Sequence, residues 1–386
     1  MKKIFIYFLL LLVCVLPLTS CATGSAEAPS SSSDTTAASG DGSGSRKSVV
    51  PAEDEDENEV DTTVIPAMTI AEDGKHTLTG TIDGQVLVTA ENVTLILDGV
   101  KINSPDGPAI LGDDGNGSDA EQTLTIELHG ESSATAGTKH GVQGKDNLSV
   151  GGDGTLNITA EKDGLHAGDT LSIRSGTVNV LQSYEGMEAP YINISGGKTT
   201  VRASDDGVNA ATDDEGVTPG LKITGGTLTV YAGSDGLDSN GTLDISAGTV
   251  AIFINAPRDG LPFDPDRISD ISPALIVSSP VTAGTELKIL TSGGEVKWTG
   301  KTEADATSFA LVVPGLSNGE SYTVSANGKS LSTVTATTTV QGMGGGMGGG
   351  KGGMGGTPPD GTFGGRRDDR QTAPLPDTGA ASGTGT

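Results

Sequence analysis

The chain has 386 residues, with 50 acidic against 23 basic side chains, a formal charge of −27, 59 glycines and 3% aromatic residues. That charge argues against nucleic acid or an anionic membrane surface as a direct partner. Two cysteines in all leave no room for a disulfide framework or a thiolate zinc site.

Residues 1–20 read as a lipoprotein signal peptide: Lys2-Lys3, an apolar run from Ile4 to Leu18, then Leu18-Thr19-Ser20-Cys21. The run is too short for a convincing membrane span. Cleavage before Cys21 with lipid attachment to its thiol is expected, an ordinary secretory signal being the alternative. Cys14 would leave with the leader. Residues 21–61 are rich in Ser, Thr, Ala and Gly and carry the run Glu53-Asp54-Glu55-Asp56-Glu57. Such a segment cannot bury enough apolar surface to fold, and reads as a tether.

Residues 62–271 are expected to form a parallel β-helix, an all-β coil of stacked rungs. The first part, to about residue 140, is irregular, with phrases such as VTLILDGVKINS and LTIELHG. Beyond it an acid-glycine marker returns: Asp163-Gly164, Glu185-Gly186, Asp206-Gly207, Asp235-Gly236 and Asp259-Gly260, spaced by 22, 21, 29 and 24 residues. His140-Gly141 and Asp106-Gly107 look like degenerate earlier members. A period of this length marks a stacked architecture. Each unit alternates apolar and polar residues with period two, the signature of strands. Leu171 and Ile173 alternate, Gly176 permits a turn, Val178 and Val180 alternate again, and a short third piece such as Leu165/Ala167 follows each marker. Rungs stacked ~4.8 Å apart would align Val150, Ile173, Ile194, Ile223 and Ile245 in one inward ladder. Ile158, Val180, Val201, Val230 and Ile252 would form another, and Thr199 interrupts a third where Leu156, Val178, Leu228 and Val250 stand.

Residues 272–340 lose the marker and carry hairpin signals at Ser292-Gly293-Gly294 and Ala326-Asn327-Gly328, so a C-terminal β cap is expected over an otherwise open end. Residues 341–386 are a Gly/Met-rich tract and polar tail, disordered by composition. Leu375-Pro376-Asp377-Thr378-Gly379 has the look of a sortase motif, but no apolar segment or basic end follows it.

If Leu165 and its equivalents point inward, their neighbours His166, Glu188, Asn209 and Asp238 point outward. Paired with Asp163, Glu185, Asp206 and Asp235, they would stack as neighbouring columns on one exterior edge. Like charges ~5 Å apart repel by about 3 kcal/mol at an effective dielectric of 20, which favours raised pKa values or bound cations. Oxygen ligands at this density suit calcium. The rival reading is that acid-glycine is a good corner, Asp capping the turn and Gly supplying positive φ. Asp213-Asp214-Glu215 offers further oxygens or a solvated loop.

No catalytic constellation emerges, so a binding protein is expected rather than an enzyme. His76, His129, His140 and His166 are scattered, and only His140 and His166 occupy corresponding parts of the repeat. A polysaccharide lyase on the same scaffold is the enzymatic alternative, needing calcium and a base from Lys162, Arg174, Arg202 or Arg258. An adhesin or spacer without glycan affinity is the third reading. Aromatic platforms for sugars are few; Tyr184 and Tyr231 end equivalent strands, where a shared exterior ridge and a packing role are equally open readings.

The rungs LSIRSGTVNVLQSYEGMEA, INISGGKTTVRASDDGVNAA and LKITGGTLTVYAGSDGLDSNG resemble the bacterial surface carbohydrate-binding β-helix family, a relative in shape of pectate lyases. The likeness covers roughly residues 62–340. It implies a right-handed parallel β-helix with bound calcium that binds plant-type polysaccharide, cellulosic or pectic. Matching corner positions are Glu185, Glu188, Asp206, Asn209, Asp235 and Asp238. The last marker, followed by Leu261-Pro262-Phe263-Asp264-Pro265-Asp266, departs from the pattern, with Asp264 and Asp266 as replacement ligands. A lipid-anchored, extracytoplasmic monomer is expected.

Overall fold

The computed structural model describes residues 64–113, 120–256, 260–267 and 269–342. The leader, Cys21, the tether, the tail beyond 342 with its 375–379 motif, Arg258 and Asp259 lie outside the described residues. Those described form β-strands and no helix.

Most repeats give three strands, as in Leu165–Ala167, Thr170–Ile173 and Thr177–Ser183, the second and third merging into one in Gly220–Ala232 and Thr242–Ile254. Each pairs in parallel with its counterpart one repeat on: Leu165 lies opposite Met187, Leu171 opposite Ile192 and Val178 opposite Thr199. The first strands build a nine-stranded parallel sheet from Met68–Ile70 to Phe263–Pro265. The other two belong to a 17-stranded sheet.

The apolar residues read as ladders are buried and in register, Val150 through Ile245 and Ile158 through Ile252. The first ladder extends back to Ile126 and on to Ile271. Each such side chain contributes roughly 1.5–3 kcal/mol on burial. Thr199 is 1% exposed in the third ladder, and its hydroxyl has no hydrogen-bond partner. Nothing in its surroundings explains a polar residue there.

Two kinds of glycine hold the repeat. Gly176 turns the chain between strands at φ 80°, a conformation that L side chains resist. The marker glycines differ from expectation: Gly164, Gly186, Gly207 and Gly236 are not among the positive-φ residues. They are needed for space. A Cβ on Gly164 would lie 2.6 Å from Val180 Cγ1 and 2.7 Å from the Gly186 carbonyl oxygen one repeat away. Backbone is stacked on backbone there, and any side chain would part the strands.

Beyond the last repeat the pairing changes sense. Strand Ser269–Val277 runs parallel at Ile271, then antiparallel against Ser308–Val312. A four-stranded antiparallel sheet follows, containing both hairpins expected from sequence. In the second, Asn327 and Gly328 both have positive φ, 50° and 76°, as a two-residue turn between twisted strands requires. Tyr231, Phe253 and Phe309 stack at centroid distances of 5.2 and 5.9 Å in a second core. Arg202 lies 4.5 Å over the Tyr231 ring and pairs with Glu303. A ridge shared by Tyr184 and Tyr231 is therefore absent. Tyr231 is buried opposite Arg202, while Tyr184 is 42% exposed at a corner.

Candidate metal centre

The parallel register of the nine-stranded sheet sets the acidic residues. Gln143, His166, Glu188, Asn209, Asp238 and Asp264 oppose one another in sequence, one per repeat. Beside them run the marker residues. The amides of Gly141, Gly164, Gly186 and Gly207 donate to the carbonyls of Asp163, Glu185, Asp206 and Asp235, so those acids stack one above another.

The stack slips at both ends. Gly236 N–H donates to Leu261 O, which puts Leu261, not Asp259, in the position after Asp235. Ile110 opposes Val142, so Pro108-Ala109 rather than Asp106-Gly107 aligns with His140-Gly141. Two extra residues at each of these corners displaced the marker from its apparent place. The signal that finds Asp264 is instead the triplet Phe-Asp-Pro aligned with Leu-Asp-Ser.

The column is also less exposed than an exterior edge would be. Asp163 retains 3% exposure, His166 6% and His140 1%; Asn209 is buried, and Glu185, Glu188, Asp206, Asp235 and Asp238 are half-buried. Stacking tight enough to exclude a Cβ at each marker glycine presses these side chains on one another rather than into water. Asp213, Asp214 and Glu215 lie exposed in the loop before Gly220.

Both readings of the marker acids have support. Asp206 Oδ1 accepts the Asp235 amide at 2.7 Å, and Asp235 Oδ1 accepts the Leu261 amide at 2.5 Å, so one oxygen of each caps the next corner. The second reading rests on oxygens that the fold leaves unsatisfied. Asn209 Nδ2 donates to Glu185 Oε1 at 3.2 Å, yet the buried Glu185 Oε2 and Asn209 Oδ1 have no hydrogen-bond partner. Two buried acceptors facing no donor are costly unless a cation takes their lone pairs.

Electrostatics agree. Burial, then the Glu188 and Asp163 charges, push Glu185 up to about 10. Burial, partly offset by a hydrogen bond to His166, raises Glu188 to about 7. Burial raises Asp235 to about 6 against its bond to Leu261, and raises Asp238 to about 7 with help from the Asp206 and Asp264 charges. Asp206 is raised too, chiefly by burial. A divalent cation among these oxygens would favour the charged forms that burial and, after it, mutual repulsion oppose.

At the other end of the column, histidine replaces acid. His140 Nδ1 and His166 Nδ1 lie 2.9 and 3.0 Å from the same Asp163 oxygen, Oδ2, and Glu188 Oε2 is 3.6 Å from His166 Nδ1. The two rings are 4.4 Å apart. Burial opposes both charges, but the imidazoles hold Asp163 well below the usual carboxylate range, and Asp163 and Glu188 hold His166 up at about 10. Asp163, Glu185 and Glu188 form a second group whose ligand atoms lie within 4.8 Å of one another. Asp163, Glu185 and Glu188 are thus close enough that they could hold a metal ion. The correspondence of His140 and His166 and the pairing of His166 with Asp163 were visible in the repeat; the closure of His140 on the same carboxylate was not.

A family model described as "Carbohydrate-binding domain-containing protein" matches residues 66–347, more than half of the chain. No curated protein matches it. Among solved structures, a polysaccharide lyase-like protein from C. thermocellum, determined as a gadolinium derivative, is similar at 22% identity with a TM-score of 0.48; the match covers 56% of this chain and 92% of that one.

Proposed function

Because the chain belongs to the carbohydrate-binding domain-containing family, we propose that it is a lipid-anchored surface protein that binds plant-type polysaccharide and holds calcium along its acidic column. The family match over residues 66–347 is the observation that carries the carbohydrate reading. In this reading the parallel sheets close into a right-handed β-helix over residues 62–271, capped by 272–340. Lipid on Cys21 tethers it outside the cytoplasm as a monomer.

Calcium is supported by the ligand chemistry. Glu185, Glu188, Asp206, Asn209, Asp235 and Asp238 offer only oxygen, and calcium takes six to eight oxygens at 2.3–2.6 Å. Asp264 extends that column by one repeat. Calcium would hold the like-charged corners together and bridge to uronate carboxylates, letting a chain of charge −27 approach a pectic glycan. The lyase alternative is weakened at one of its bases: Arg202 is engaged with Glu303 and Tyr231.

The test is retention of the chain lacking residues 1–21 on insoluble cellulosic and pectic glycans, with calcium and with chelator. Calcium-dependent retention on pectic glycan is expected. Folded protein that binds no glycan under either condition would refute the carbohydrate reading, and release of unsaturated sugar would replace binding by lyase action.

A further inference from the structure

The histidine end of the column has a different chemistry from the rest. Three atoms converge there, Nδ1 of His140, Nδ1 of His166 and Oδ2 of Asp163, and from the next repeat Oε2 of Glu188 lies 3.6 Å from His166 Nδ1. The first three belong to residues at most 6% exposed. Register fixes them, since His166 opposes Glu188 across one ladder step and the Gly141 amide donates to the Asp163 carbonyl. Nitrogen ligands are a poor match for calcium, whereas imidazole suits zinc, copper, nickel and iron.

Distances discriminate further. A tetrahedral zinc-class ion with bonds of about 2.0–2.1 Å spaces its ligands about 3.3 Å apart. Asp163 Oδ2 lies 2.9 and 3.0 Å from the two imidazole nitrogens and Glu188 Oε2 lies 3.6 Å from His166 Nδ1, on either side of that value. Calcium, with longer bonds and six or more ligands, is poorly matched to contacts this short and this few. Charge balances as well: two neutral imidazoles and two carboxylates neutralise one divalent ion, a favourable state for a buried site.

We propose that His140, Asp163, His166 and Glu188 form a binding site for a zinc-class transition metal, separate from the calcium column. Glu188 joins the two, offering one oxygen to each. The site is filled independently of any glycan, so it stands or falls apart from the polysaccharide reading. The competing account is an ion-paired His-Asp-His stack that needs no ion, and the experiment separates the two.

The chain lacking residues 1–21 is stripped with a chelator, exchanged into a large excess of calcium, and titrated with Zn2+ against a chromophoric zinc indicator, then in parallel with Co2+. One equivalent of Zn2+ per chain is expected to bind despite the calcium, and Co2+ is expected to develop the intense visible bands of tetrahedral coordination. His140→Gln and His166→Gln should each weaken Zn2+ binding by about 100-fold or more, whereas His129→Gln, at an exposed histidine, should change nothing. Loss of Zn2+ to excess calcium, or the pale spectrum of octahedral Co2+, would overturn the proposal. So would Zn2+ binding that survives in a folded His140→Gln/His166→Gln double variant. The cobalt spectrum of the unmutated chain decides the matter even where a variant does not fold.

Discussion

Glu185→Gln should stabilise the calcium-free protein and weaken its response to calcium. In the unfolded chain this carboxyl has its ordinary value of 4.5, and in the fold it is raised to about 10. At pH 7 folding must therefore take up a proton, at a cost of about 1.36 kcal/mol per pH unit over the interval from 4.5 to 7, or about 3 kcal/mol. An independent figure agrees: a second carboxylate within 4.8 Å repels by about 3 kcal/mol at an effective dielectric of 20. Gln escapes that cost while its carbonyl still accepts from Asn209 Nδ2. Glu188 shares the repulsion, so we expect a gain of roughly 1–3 kcal/mol. That is a rise in Tm of roughly 2–5 °C for a domain of this size. The assay is scanning calorimetry in chelator and in calcium. Unmutated protein at a hundredfold excess over Kd gains about 2.7 kcal/mol from calcium, and Glu185→Gln should gain markedly less. The chelated advantage should fade as pH falls to 4.5 and below, where Glu185 becomes neutral in the unfolded chain as well as in the fold. A variant that melts lower than the parent in chelator, or keeps the full calcium response, would refute the reasoning.

The same carboxylates set the pH profile of the calcium-free chain. Glu188, Asp235 and Asp238 are raised to about 7, 6 and 7, so their penalty is full above those values and is relieved as pH falls through them. His166, raised to about 10, contributes fully below its ordinary 6.5 and loses that contribution as pH rises through 10. Both trends predict a higher chelated Tm at pH 5.5 than at pH 8, and calorimetric calcium affinity that falls over the same descent as protons compete. Gly186→Ala should destabilise by several kcal/mol in urea melts, because the new Cβ meets the Gly207 carbonyl and a Val201 methyl; a cost under 1 kcal/mol would show that the stacking has slack. Thr199→Val should stabilise by about 1–2 kcal/mol by removing an unpartnered buried hydroxyl, and an equal loss in the same assay would mean that the hydroxyl has a partner.

The ladders were legible because burial acts on side chains one at a time, and period-two alternation records it directly. Val150 to Ile245 could be aligned by eye and proved in register. The site was legible only in its middle. Glu185, Asp206 and Asp235 align because each precedes a glycine that the stacking demands. Asp259 misled because the marker is short, and two inserted residues move a glycine without moving the strand that follows. The depth of burial was not legible at all. Alternation says which way His166 points but not that His140, one repeat earlier, closes over the same carboxylate. That contact depends on rotamers and on a separation along the stack that no single repeat encodes.

The two slips bracket the run of marker residues, which opens with His140, while the neighbouring column continues one repeat further to Asp264. Pro108 takes the marker position before His140, and Leu261 takes it after Asp235; neither can ligate through a side chain. Between them stand Asp163, Glu185, Asp206 and Asp235, three steps of ~4.8 Å or about 14 Å end to end. A 1,4-linked glycan lying along the stack advances about 5 Å per sugar, close to one strand spacing. Such a column spans about three sugars, one near each step. If calcium bridges protein to uronate, affinity should rise with oligomer length to about three residues and then level off. A steep rise continuing to much longer oligomers would place the binding face elsewhere on the sheets and leave calcium a purely structural part.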